Sequence, residues 1–342
     1  MFTITVPRRV LQLATALFFG AAAISANAAA TSPGNGVSVT PIFPSIAEER
    51  FRGEIAMQGL RELGYQIQTP KETDYGVMMM ALANGDADFT VHLWDKLHDK
   101  FYTQAGGDDV MVKTGHIMPG VLQGYLIDKK TAQAHNIKYI TDLKKPEIAQ
   151  LFDADGDGKA DLTGCNPGWG CELIIDHQMK AYGLEKTVHV NQGSYFALMA
   201  DTIARYKEGK PILYFTWVPQ WIANVLVEDK DVVWLEVPNT DLPGGNNDVD
   251  TTYNGKNLGF AVDSVRAVLN KDFAEKNPAA LKFLSVMTIS TADESAQNMK
   301  MQQGEKSPEA IRGHATQWIA AHRQQFDEWL QAARAAATQA NK

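Results

Sequence analysis

The tightest constraint on this chain's fold is a switch of hydrophobic period, repeated between residues 36 and 93. Gly36 to Ile42 alternates as a strand does. Ser45-Ile46-Ala47-Glu48 has the spacing of a capping box and opens a helix through Leu63, stopped by Gly64. Phe51, Ile55, Leu60 and Leu63 form its buried stripe. Tyr65 to Gln68 reads as a strand, Tyr75 to Asn84 as a helix ended by Gly85, and Phe89 to Leu93 as a strand. Strand–helix–strand–helix–strand predicts a mostly parallel sheet with helices on its faces. Similar material follows. Val121 to Ile127, Ile212 to Thr216, Val232 to Val237 and Leu258 to Val262 read as strands. Leu143 to Phe152 reads as a helix, and Ser194 caps another through Lys207, stopped by Gly209. From about Phe273 the pattern is helical, and the spacing of Trp318, His322, Phe326, Trp329 and Ala333 puts both tryptophans in the core. Two α/β lobes sharing one chain satisfy this order. Segments 121–127 and 258–262 are the expected crossovers, so one lobe is 31–122 with 262–342 and the other is 123–261.

Residues 1–28 stand outside that scheme. Arg8 and Arg9 precede an apolar stretch from Val10 to Ala23, and Ala26-Asn27-Ala28 fits a small-x-small cleavage pattern. This is the layout of a secretory signal peptide, too short to span a membrane. Seven Trp, ten Tyr and fourteen Phe need a core to pack in, which excludes a disordered chain. A net charge of −8 and a pI near 5.5 argue against a nucleic-acid partner. In an oxidising compartment the only two cysteines, Cys165 and Cys171, are expected to form a disulfide; alone they cannot complete a zinc site. The bridge closes a very short loop, so it shapes that loop more than it stabilises the whole fold.

Three tryptophans fall at places where ligands meet α/β sheets. Trp94 and Trp217 follow directly on strands, and Trp169 lies in the loop Cys165-Asn166-Pro167-Gly168-Trp169-Gly170-Cys171. Any one Trp would ordinarily be core packing. Three at loop or strand ends suit a quaternary ammonium, which donates no hydrogen bond and finds its best partners in ring faces. Each such contact contributes about 0.5–2 kcal/mol, while a micromolar complex needs about 8 kcal/mol, so a second handle is expected. His98, four residues beyond Trp94, and the backbone amides of Gly170 and Cys171 would suit a carboxylate; taken alone, His98 is an ordinary surface or packing histidine. Asp153, Asp155, Asp157 and Asp161 occupy positions 1, 3, 5 and 9 of a calcium-type loop with Gly156 at position 6. Position 12 is Gly164 and not Glu, which leaves two readings, a calcium loop or a polar turn whose side chains satisfy its own backbone. Gly-x-Ser-x-Gly, His-Glu-x-x-His and phosphate-cradling loops are absent, and His98-Asp99 is adjacent in sequence without making a dyad.

At these residues the sequence resembles the periplasmic glycine betaine/proline betaine-binding proteins of bacterial ABC osmoprotectant uptake systems. Gly124 to Lys130, Asp155 to Glu172, Ala200 to Pro211, Asp231 to Leu235 and Glu275 to Ala280 carry the likeness. The resemblance implies a two-lobed type II-like binding-protein fold that closes on its ligand. It also implies a cage of Trp94, Trp169 and Trp217, a carboxylate held by His98, Gly170 and Cys171, no cofactor, no catalysis, a permease partner and a monomer in the periplasm. One departure is visible: the family's Thr-Pro between cage Trp and His is Asp95-Lys96 here. Two alternatives stand beside this reading, a receptor for choline or dimethylsulfoniopropionate, and a secreted hydrolase. A carboxylate-binding His98 favours a zwitterion over choline, and a hydrolase would need an activated nucleophile or metal-bound water that the sequence does not offer.

Overall fold

The computed structural model describes residues 32–245 and 247–340. Residues 1–28, read from the sequence as a signal peptide, lie outside the described residues.

One strand organises the molecule. Met111–Asp128 is 18 residues long, and its partners change along its length. Its first part pairs antiparallel with Asp263–Asn270, from Met111↔Asn270 to Val121↔Asp263. Its last part pairs antiparallel with Leu213–Val218, from Leu122↔Val218 onward, and with Val232–Trp234. The sheet then runs from Phe89–Trp94 through Asp263–Asn270, the long strand and Leu213–Val218 to Ala160–Thr163 and Val188–Asn191. Each half of the sheet is faced by its own helices. Arg50–Glu62, Pro278–Val286, Pro308–Ala321 and Arg323–Ala340 pack together on the first half, where Phe283, Phe326 and Leu330 are wholly buried. Gly170–Ala181 and Tyr195–Lys207 belong to the second.

Several elements differ from expectation, each for a physical reason. The sheet is mixed, not mostly parallel. Apart from isolated bridges, parallel pairing among the described residues is in short local units: Ser38–Val39 with Gln66–Ile67, Ile42–Pro44 with Lys71–Thr73, and Ala160–Thr163 with its two neighbours. The long strand, which spans both halves, and Asp263–Asn270, which follows the chain's return to the first half, run in opposite directions. The Ser45 capping box does not form. Residues Ala47–Glu49 make one 3-10 turn and the helix starts at Arg50, with no side-chain cap at either start. Leu143 to Phe152 is not one helix, since Lys145 before Pro146 is extended (ψ 121°) and splits it into short turns. Leu258 to Val262 is not a strand, and the return strand begins at Asp263. The helix Gly170–Ala181, not foreseen, starts inside the cysteine loop. Trp318, Phe326, Trp329 and Ala333 are buried as expected, with His322 stacked on Trp318 at 4.2 Å.

Close packing of the first half depends on a glycine in mid-helix. A Cβ on Gly59 would lie 2.0 Å from Cζ of Phe283, which is fully buried. Gly59→Ala should therefore destabilise by about 1–3 kcal/mol through overpacking, although alanine is the better helix former. Urea unfolding measures it, and a stabilised variant would contradict the packing argument.

Candidate functional site

The six residues singled out by sequence meet at one pocket. Trp94, His98, Trp169, Gly170, Cys171 and Trp217 line it together with Ile46, Glu49, Tyr75, Leu97 and Gln123.

Trp94 closes the buried strand Phe89–Trp94 and is itself only 4% exposed. The chain then makes a single turn. His98 donates its backbone N–H to the Trp94 carbonyl (2.9 Å), and Trp94 donates its own to His98 Nδ1 (3.3 Å). The Asp263 carboxylate braces this turn, accepting from the amides of Lys96 and Leu97 at 3.0 Å each. Burial raises the Asp263 pKa, against the pull of those amides.

From the other half come the disulfide loop and Trp217. Cys165 and Cys171 are bonded, with Cα atoms 6.4 Å apart. Trp169 is the N-cap of the helix that follows, so the Gly170 and Cys171 amides are among the donors a helix leaves unpaired at its start. Asn166 accepts from the Tyr195 amide (2.8 Å) and seats the loop on the next helix, whose N-cap is Ser194 as expected, although the Ser194 side chain makes no capping hydrogen bond. Trp217 lies within its strand, opposite Gln123, and not after its end. The Trp169 and Trp217 rings meet edge-to-face at 5.6 Å, and Tyr195 backs Trp217 at 4.7 Å. Leu97 and Gly170 touch across the cleft so closely that a Cβ on Gly170 would sit 2.9 Å from Leu97 Cγ.

The electrostatics were not legible in advance. Glu49 is buried behind the wall formed by Trp94 and Tyr75. Its Oε1 accepts from Trp94 Nε1 (3.2 Å) and its Oε2 from the Tyr75 hydroxyl (2.8 Å). Arg52, 1% exposed, pairs with Glu49 Oε2 at 2.6 Å and Glu294 Oε1 at 2.5 Å, and donates to the Val91 carbonyl at 3.2 Å. Burial alone would lower the Arg52 pKa, but Glu294 and Glu49 outweigh it and raise it. Burial pushes Glu294 up to about 7 against the pull of Arg52. His98 is pushed down to about 3, first by burial and then by the Arg52 charge. A neutral imidazole whose Nδ1 accepts carries its proton on Nε2, which is thereby a donor. Ring faces, one buried carboxylate and N–H donors are thus gathered in one pocket, a set of groups that complements a small zwitterion. The Glu49–Arg52 pair is itself local, but nothing local marks it as buried, since its other partners, Tyr75, Val91, Trp94 and Glu294, lie far along the chain.

Asp95 and Lys96, the visible departure, do not line this pocket, although Lys96 lines the adjoining cleft, which shares Leu97, Gln123 and Gly170 with it. Asp95 pairs with Lys113 (2.6 Å) and Arg266 (3.2 Å), and Lys96 lies in the outer cleft beside Lys100 and Leu173. The acidic loop is likewise separate. Asp153, Asp155 and Asp161 bring carboxylate oxygens within 4.8 Å of one another, and Asp157 groups with Asp155 and His189. Those carboxylates already accept from the loop itself: Asp153 from Gly156 (2.6 Å) and Gly158 (2.9 Å), Asp155 from Asp157 (3.1 Å), Asp157 from Lys159 (2.8 Å) and Asp161 from Ala154 (2.6 Å). These are the hydrogen bonds of a polar turn, made by carboxylates that also lie close enough together to share an ion.

Comparison with known proteins adds the family. Residues 37–321 match the substrate binding domain of ABC-type glycine betaine transport systems. The chain belongs to that family. It is 53% identical over 306 residues to the glycine betaine-binding periplasmic protein OusX of Dickeya dadantii, covering 89% of this chain and 92% of that protein. It is 52% identical over 308 residues to the glycine betaine/proline betaine-binding periplasmic protein of Escherichia coli K12, covering 90% and 93%. Among solved structures it is similar to lactococcal OpuAC in its closed, glycine betaine-bound conformation (TM-score 0.66, 21% identity, 86% and 99% covered). It is also similar to a choline-binding protein of an ABC transporter in complex with choline (TM-score 0.67, 20% identity, 89% and 97% covered). The architecture is therefore the family's two-lobed α/β binding-protein fold. Among the described residues no helix is long and apolar enough to cross a membrane, and the curated relatives are periplasmic.

The His98 environment makes a pH prediction. Its folded pKa of about 3 lies below the ordinary 6.5, so an unfolded chain takes up a proton there before the folded one does. Stability is thus lost as pH falls from 6.5 toward 3, by up to about 1.4 kcal/mol per pH unit. Replacing the group in His98→Asn should remove that slope. Denaturant unfolding of both proteins from pH 7 to 4 checks it; parallel curves would show that His98 titrates normally.

Proposed function

We propose that this protein captures glycine betaine and proline betaine in the periplasm and delivers them, as a monomer without catalytic activity, to the permease of an ABC importer. One observation carries the reading: three tryptophans from separate segments meet His98 and the first amides of a helix in a single pocket. The indoles would take the quaternary ammonium, and His98 with the Gly170 and Cys171 amides would take the carboxylate. Those donors favour a betaine over choline, whose hydroxyl needs no such set. Residues 1–28 would direct export. The lobes would be 31–122 with 262–342 and 123–261, hinged where the chain passes between them. The relatives, periplasmic proteins that bind glycine betaine or proline betaine, support this assignment.

Calorimetric titration with glycine betaine, proline betaine and choline tests it; choline binding as tightly as either betaine would overturn it. Small-angle scattering should show a smaller radius of gyration with saturating betaine, whereas an unchanged radius would mean a site closed in advance.

Trp169 separates cage from core. It is only partly buried, so Trp169→Ala should cost far less than the 3–5 kcal/mol typical of a core Trp while weakening betaine binding at least several-fold. Trp169→Phe should retain more affinity than Trp169→Leu. A large drop in Tm with unchanged affinity would place Trp169 in the core instead. Equal affinity for Phe and Leu would keep the contact and reject ring electrostatics as its cause.

A further inference from the structure

Glu49 is the only acidic residue among those lining the pocket, and it is held where a ligand's charge would be felt. It is 6% exposed, and its two oxygens are committed to the pocket wall, one to the Trp94 indole N–H and the other to the Tyr75 hydroxyl. The Tyr75 ring in turn lies against His98, with centroids 3.7 Å apart. A carboxylate accepting from the edge of an aromatic ring increases electron density on its faces, and those faces attract cations through that density. Behind Glu49 stands Arg52, which would cancel this effect if it paired with Glu49 alone. It does not: Glu294 from a distant helix shares the same guanidinium. One buried cation between two carboxylates leaves a net negative charge when Glu294 is ionised, and of the two carboxylates Glu49 is the one that lines the pocket.

We propose that Glu49 is a specificity-determining residue that selects ligands carrying a full positive charge on the head group, acting through Trp94 and Tyr75 and through its own field. This rests on the betaine reading above and goes beyond it by separating recognition of charge from recognition of shape. The ring faces already favour a cationic head over an uncharged one of the same shape; Glu49 strengthens that discrimination.

The test compares glycine betaine with tert-butylacetate, in which carbon replaces the quaternary nitrogen and the carboxylate is kept. Titrations are run at pH 8, above the range in which Glu294 titrates. Wild type should prefer glycine betaine. In Glu49→Gln, which removes the charge and keeps the shape, that preference should shrink by about tenfold or more, through weaker betaine binding with tert-butylacetate unchanged or tighter. A merely structural role would weaken both ligands by the same factor, and an unchanged ratio in a folded variant overturns the proposal. Should Glu49→Gln not fold, Tyr75→Phe decides. It removes one link between the carboxylate and the wall, and should lower the ratio several-fold; an unchanged ratio there overturns the proposal equally. A wild type that binds no glycine betaine removes the betaine reading and this inference together. A wild type that binds it with a ratio insensitive to these variants removes this inference alone.

Discussion

A buried guanidinium holds the first half of the molecule to its binding site. Arg52 joins three segments remote in sequence: its own helix through Glu49 at the entry, the strand before Trp94 through the Val91 carbonyl, and the helix Thr291–Gln302 through Glu294. Taking such a charge out of water is costly, and only close, matched partners offset the cost. Removing one partner leaves an uncompensated buried charge, commonly a loss of about 3–5 kcal/mol. Through Glu49 the same network fixes the Trp94 and Tyr75 rings, so stability and the shape of the site are governed by one set of contacts. His92 adds a neutral brace: burial, reinforced by Arg52, lowers its pKa, and its Nε2 meets the Glu49 carbonyl at 3.0 Å.

The second half solves a different problem. Trp169 sits where the chain has little room to bury an indole, beside glycines and at a helix start. The Cys165–Cys171 bond and the Asn166 contact to Tyr195 hold the loop from both sides, and Trp217 supplies a ring for Trp169 to lean on. The disulfide's value is thus local. It keeps a Trp and two free amides at fixed positions on the end of one helix.

What the sequence made legible was whatever is written locally. Periodicity and glycine stops located the helix ending at Glu62, the helix Tyr75–Ala83 and the core tryptophans near the C-terminus. Trp94 at its strand's end and Trp169 beside two glycines marked the pocket together with the cysteine loop, whereas Trp217 lies within its strand. Pairing direction was not legible: whether Asp263–Asn270 runs parallel or antiparallel depends on a partner far away in the chain. The Ser45 box failed because tertiary contacts at Glu49 and Arg52 hold the entry turn instead. Glu49, Arg52 and Glu294 read as an ordinary solvated helix face until folding brings them together.

The two crossings also bear on the order of folding. Phe89–Trp94 emerges early in synthesis, but its neighbour in the sheet is Asp263–Asn270, which emerges after the whole second half. Glu294, the other partner of Arg52, comes later still. The first half therefore cannot finish its sheet or balance its buried charge while the chain is still growing, and non-local pairing of this kind is slow to form. The second half, continuous between the two crossings, can close first and serve as the surface on which the rest assembles. A truncation anywhere before residue 263 would leave Trp94 on an unpaired edge, without the strand that completes its wall.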